Sequence, residues 1–145
     1  MSEITVLAMV EAMLQLSMII MVGLYFTFSN TVMHVLSQSC HGATTMIKLN
    51  SQILNPLFLT CFSLSGLAGL YFCIFHSGFQ SLAGFVFFIG TTLVTVFFNI
   101  PLNEALKDAR PEELSRFWQT YLDKWVFWNH FRTGCAVLSG LLLSI

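Results

Sequence analysis

The chain is 145 residues long, 56% hydrophobic and only 9% charged, with fifteen Phe, a formal net charge of −1 and a mean hydropathy of +0.77. That is too little polar side chain to cover a water-soluble domain of this size, so the composition points to an integral membrane protein. Lys and Arg number 6 in total, form no basic cluster and are not interleaved with the aromatics, which excludes a nucleic-acid surface.

A helix needs roughly 20 apolar residues to cross a hydrocarbon core about 30 Å thick. Four stretches qualify, at about 4–33, 53–75, 82–100 and 126–145. The first carries Glu11 and Gln15, has no basic leader and runs too long for a signal peptide, so it is expected to stay as a span. Glu11 should turn toward Gln15 or a partner on another helix, or snorkel to the outer surface. The second stretch follows a helical lead-in from about residue 44, because MIKLNSQIL spaces Met46, Ile47, Ile53 and Leu54 along one face. Asn55 could cap a helix that starts at Pro56, or one continuous helix could bend there; the apolar spacing favours the bend. Pro101 should end the third helix at Asn99 or Ile100, because proline lacks an N–H and crowds the preceding turn. PEELSRFW then offers a second start, with Pro111 and two acids in a first turn, and predicts a short extramembrane helix leading into the fourth span.

Backbone groups in lipid must be bonded within their own segment, and these segments are continuously apolar rather than alternating. The expected fold is therefore all-α, one transmembrane domain over residues 1–145 built as a four-helix bundle. Lys48, Lys107, Arg110, Arg116 and Lys124 fall in the connections at about 37–52 and 103–124, whereas the termini and the connection at 76–81 have no Lys or Arg. The first and third connections should then be cytoplasmic and both termini outside. Cys40, Cys61, Cys73 and Cys135 show no CxxC spacing and read as inert thiols rather than disulfides or metal ligands.

Polar residues inside a span are costly unless they face a partner, so they are candidate site residues. Asn30 and His34 share a face of the first helix, Asn50 and Asn55 precede the second, Asn99 and Asn103 close the third, and WNHFR opens the fourth with Trp128, Asn129, His130 and Arg132. Any one of these is accounted for by capping or interface polarity. As a set, delivered by four segments to one level, they read as the lining of a cavity. Steps of about 100° place Trp118, Tyr121, Trp125, Trp128, Asn129 and Arg132 on one stripe and His130 outside it. A one-sided stripe ending in Asn and Arg suggests inward packing; a simple aromatic anchor at the membrane surface is the alternative.

YFTFSNTVMH, KLNSQILNP, NIPLNEAL and WxxYLDKWVFWNHFRT together resemble the DUF1772 family of small four-helix membrane proteins, which includes the anthrone oxygenases. The resemblance runs over nearly the whole chain, and its most specific parts are NxPLN (Asn99, Pro101, Leu102, Asn103) and WNHxR (Trp128, Asn129, His130, Arg132). It implies a membrane oxygenase that oxidises the benzylic position of a polyketide anthrone, with no obvious flavin or haem motif and no cofactor expected. Such a site needs a base, donors for an oxyanion and a dry aromatic pocket. His34 or His130 could be the base, with His34 preferred because His130 lies off the stripe. Asn99, Asn103, Asn129 and Arg132 could donate, with Arg132 as anchor; Trp125 and Trp128 could stack on a flat substrate; Asn30 and Asn50 would complete the binding set. His34 and the two terminal Asn of the third helix should then approach the stripe on the fourth.

Two other classes stay open. A metal or haem enzyme would gather His34 and His130 with Glu104 or His41, although the i, i+4 His pair and ExxH spacing are missing. A non-enzymatic quinone- or lipid-binding protein would use the same pocket without a base. The expected partners are a hydrophobic aromatic small molecule and the lipid bilayer; the sequence leaves an oligomer open.

Overall fold

The computed structural model describes residues 3–145, which are helical almost throughout, with no strand among them. Helix α1 (Glu3–Thr27) runs through a π-helical turn (Phe28–Val32) into α2 (Met33–Ser37) as one rod. After α3 (Gly42–Ile53) and α4 (Pro56–Phe75) comes a second composite rod, α5 (Gly78–Phe87), two π-helical turns (Phe88–Leu93 and Thr95–Asn99) and α6 (Ile100–Lys107). A single long helix, α7 (Leu114–Leu143), ends the chain.

Three of these rods, Thr5–Ser37, Pro56–Phe75 and Gly78–Lys107, are long and apolar enough to cross a membrane, which makes this a membrane protein. Helix α7 is not among them, because Asn129, His130 and Arg132 sit in the middle of its sequence. It nevertheless packs as an equal: α1 lies on α4, α4 on α5, α5 on α7, and α7 back on α1. Exposed Leu, Ile, Val and Phe cover the outside of this ring, as expected of a surface solvated by lipid tails.

The local starts and stops follow from side chains. Leu54 and Asn55 leave helical geometry, and Asn55 accepts a hydrogen bond from the Phe58 N–H at 3.0 Å, with Pro56 pre-set in the first turn of α4. The expected lead-in helix exists and begins at Gly42, but it is a separate helix, not one helix bent at Pro56. The cap supplies what the freed backbone needs, so the chain breaks cleanly. Pro101 departs from expectation in the opposite sense. The rod passes through it to Lys107, because the preceding turn, Thr95–Asn99, is π-helical and its wider circuit gives the proline ring room. Nor does a separate short helix follow Pro111: residues 111–113 form a turn, and α7 then runs unbroken for 30 residues.

Two cores result. One, in the ring, packs Met18, Met21, Tyr25, Phe72 and Phe87 around Ala68 and Ala136. The other joins α2, α3, α6 and the start of α7 through Met33, Met46, Leu106, Trp118, Tyr121 and Trp125. At the far end of the ring, Glu11 takes the partner-on-another-helix option: it accepts a hydrogen bond from the Tyr71 hydroxyl at 2.8 Å and lies 3.4 Å from Nε2 of His76.

Helices α4 and α5 approach through Gly69 and Gly84. A methyl group on Gly84 would overlap the backbone of Cys73 and Gly69, which has nowhere to move, whereas Gly140 has open space around it. Gly84→Ala should therefore cost about 1–3 kcal/mol and lower the thermal midpoint in detergent, while Gly140→Ala leaves it unchanged. Equal midpoints for the two variants would show that the α4–α5 contact is looser than drawn.

Candidate functional site

The site is built between the two cores. Arg132, only 7% exposed, projects from α7 into the bundle. Its Nε and Nη2 both donate to Oδ1 of Asn129, at 3.0 and 2.7 Å, and Nη1 donates to the Thr95 hydroxyl at 3.0 Å. The guanidinium carbon lies 4.3 Å from the ring centre of Tyr25 and 5.2 Å from that of Trp125. No carboxylate lies within ion-pair distance of it among the described residues. A buried cation is thus held by an amide, a hydroxyl and two ring faces, an arrangement that engages three of its N–H groups but leaves its charge unmatched.

Arg132 opens onto a cavity of about 460 Å³ whose walls are mainly apolar, including Phe28, Met46, Phe58 and Phe62. That volume lies within the usual range for small-molecule sites, roughly 300–1,000 Å³. Six buried side-chain polar atoms among the described residues have no hydrogen-bond partner, and four belong to this lining: the Tyr25 hydroxyl, Asn50 Nδ2, Asn99 Oδ1 and Trp125 Nε1. The Tyr25 hydroxyl faces Thr95 without closing a bond in good geometry. Buried polar groups are ordinarily paired, so four orphans around one space mark a place for a polar ligand.

The π-helical turns set this geometry. Thr95 and Asn99 come from the same π turn, one reaching Arg132 and the other donating weakly to the Trp125 carbonyl at 3.4 Å. Phe28 comes from the π turn of the first rod and tilts against Trp125, with ring centres 5.9 Å apart. Asn103, on α6, accepts from the Tyr121 hydroxyl at 2.8 Å. The Tyr121 hydroxyl is the donor in this pair, since an amide oxygen can only accept. Trp118, Tyr121 and Trp125 form a near-parallel stack, with ring centres 5.3 and 5.9 Å apart, that backs the cavity wall.

The expected site residues divide. Asn50, Asn99, Asn103, Trp125 and Arg132 meet at the cavity, and Asn129 clamps Arg132 from behind. Trp128 does not join them: it lies at the edge of the stripe and stacks outward on Phe98, ring centres 3.8 Å apart, among exposed Phe97, Phe127 and Phe131. His34, His130 and Asn30 face a second, more open groove of about 580 Å³ between α2 and α7, together with Asp123. There Ser29 Oγ and His130 Nδ1 are hydrogen-bonded, and Gln38 Nε2 lies 3.1 Å from His34 Nε2. The anticipated approach of His34 to Arg132 does not occur, because the rod face that carries Tyr25 and Phe28 into the cavity turns His34 away from it. His34 and His130 share their groove with neither Glu104, which lines the Arg132 cavity, nor His41, which lines neither space. Among the described residues no three His, Cys, Asp or Glu stand together as metal ligands. Tyr25 and Thr95, which contact Arg132 directly, were not anticipated. Thr95 precedes Asn99 by four, and that spacing was the available signal.

No curated protein and no solved structure matches the chain. The family model described as anthrone oxygenase matches residues 44–142, which runs from within the first turn of α3 to within the last turn of α7 and leaves the first rod outside. Both NIPLNEAL and WNHFR lie within that match and line or support the cavity. The match covers more than half of the sequence, and the chain belongs to the anthrone oxygenase family.

Proposed function

We propose that the chain is a membrane oxygenase that oxidises an activated benzylic C–H of a flat polycyclic aromatic with dioxygen, using the Arg132 cavity. The observation that carries this reading is one space combining aromatic walls, a buried cation and four unpartnered polar atoms. In an anthrone the methylene between the two rings is acidic, because loss of its proton makes the central ring aromatic and places the charge on oxygen. The carbanion form transfers electrons to dioxygen and forms a hydroperoxide. As the second methylene proton leaves, that hydroperoxide loses water, so one oxygen atom ends in the new carbonyl and the other in water. No external reductant is needed. Arg132 faces the oxygen that carries the negative charge, the amides fix the ring system, and the apolar walls keep water from the carbanion.

In this reading α7 is the fourth span and the ring α1–α4–α5–α7 is a four-helix membrane bundle. The cavity lies at the end that holds Lys48 and Lys107, since α3 packs on α6 there, and the positive charge of those connections supports a cytoplasmic position. Cysteine substitutions at Lys48 and Lys107 should react with an impermeant reagent from the cytoplasmic face, and one at His76 from the opposite face. Labelling of positions 76 and 107 from one side would sink the topology.

One observation favours a second reading. Neither histidine lines the cavity, and a quinone- or lipid-binding protein would need no base there. Oxygen uptake by the purified protein with anthrone separates the two. Turnover should fall about 100-fold or more in Arg132→Met, in line with loss of an oxyanion donor, and persist in His34→Ala and His130→Ala. Folded protein that binds anthrone but consumes no oxygen would leave the binding reading in place.

A further inference from the structure

We infer that the cavity takes its ligand as a preformed anion, and that Asn129 is the positioning residue that makes this so by holding Arg132 without neutralising it. The inference rests on the reading that a polycyclic aromatic occupies the cavity. A guanidinium this buried is ordinarily met by a carboxylate, and the planar fork of Nε and Nη2 is the geometry a carboxylate would satisfy. Here the fork closes on a single amide oxygen, Oδ1 of Asn129, whose own amide nitrogen is spent on the Tyr25 carbonyl at 3.4 Å. Three of the five guanidinium N–H groups are thereby engaged, by Asn129 twice and by Thr95, and the positive charge stays in the cavity wall.

The other charges around the space do not cancel it. Tyr25, on α1, and Tyr121, on α7, are neutral phenols. Glu104 and Lys107, on α6 at the exposed rim, pair with each other at 3.5 Å. Arg132 is the remaining charge, so the lining is positive by one. The unpartnered atoms point the same way. Tyr25 Oη, Asn50 Nδ2 and Trp125 Nε1 can each donate a hydrogen, and of the four atoms Asn99 Oδ1 alone can only accept. An acceptor-rich oxyanion that keeps a single O–H fits this set; a neutral polyphenol would bring too many hydrogens. With His34 and His130 in the other groove, the proton is left in water before the anion enters, and no side chain of the cavity has to accept it.

The test uses 1,8-dihydroxyanthraquinone, which has no benzylic C–H and so reports binding alone, and its 1,8-dimethoxy analogue, which does not ionise. With the full chain in detergent, the phenolate absorbance of the bound dihydroxy compound should titrate about one to three units below that of the free compound, as an opposite charge at close range produces. Affinity should rise about tenfold or more as pH climbs from the bound to the free value and be level above it, while the dimethoxy compound binds weakly and without pH dependence. Asn129→Asp should abolish the shift by pairing with Arg132, and Asn129→Ser, which places no charge there, should retain most of it. A bound phenol that titrates like the free one overturns the inference, as does failure of the unaltered protein to bind the dihydroxy compound, or an unchanged shift in folded Asn129→Asp. A normal shift without anthrone oxidation would sink the oxygenase reading alone.

Discussion

Arg132 is a cation taken out of water without an anion to meet it, and the rest of the interior is arranged around that. A lone buried charge costs several kcal/mol even after relaxation, so the fold must supply compensation from neutral groups. It does so with the oxygen of Asn129 one turn earlier, the hydroxyl of Thr95 from a different rod, and the faces of Tyr25 and Trp125. Each of these comes from an element held by one of the two cores, which is why the cavity lies at their junction. If either core were loosened, the first loss would be the geometry around the guanidinium.

The two cores also explain why the interior is hollow there. The ring of α1, α4, α5 and α7 packs tightly where small residues allow contact, as at Gly69 and Gly84. Toward the other end α3 packs against α2 and α6, and Trp118, Tyr121 and Trp125 form one side of the interior there with stacked rings. The space between that stack and the start of α4 is left open. Its wall includes Leu54 and Phe58, on either side of the break that Asn55 caps, so the same local feature that separates α3 from α4 shapes the cavity's edge.

Much of this was legible in the residues, and the reasons for the rest are physical. Apolar runs of spanning length mark all four long segments in the sequence; in the structure three of the rods are long and apolar enough to cross a membrane, while Arg132 and Asn129 lower the hydropathy of the helix that carries them. The stripe from Trp118 to Arg132 was readable at about 100° per residue and failed only at its margin, where Trp128 faces outward. Asn99 and Asn103 were found as polar residues in apolar surroundings. Their register was not, since Pro101 is a stop signal in an α-helix and becomes permissible after a π turn, which periodicity alone does not announce. The histidines misled for a related reason. Asn30 and His34 do share a face, but the face that enters the cavity is that of Tyr25 and Phe28, whose aromatic character is unremarkable in a chain with fifteen Phe.

The π turns have a consequence for how such a sequence can change. A π turn holds one residue more than the α turn it replaces, so removing one residue from Thr95–Asn99 would restore an ordinary helix and leave its length in turns intact. Everything beyond would then keep its phase, so Asn103 and the Glu104–Lys107 rim would stay on the cavity side. The Pro101 ring would lose the room of the wide turn and meet the carbonyl four residues back, so the rod would bend or break there. The length of this short segment, more than the identity of any residue in it, is therefore what lets one rod carry a proline and a polar cavity wall together.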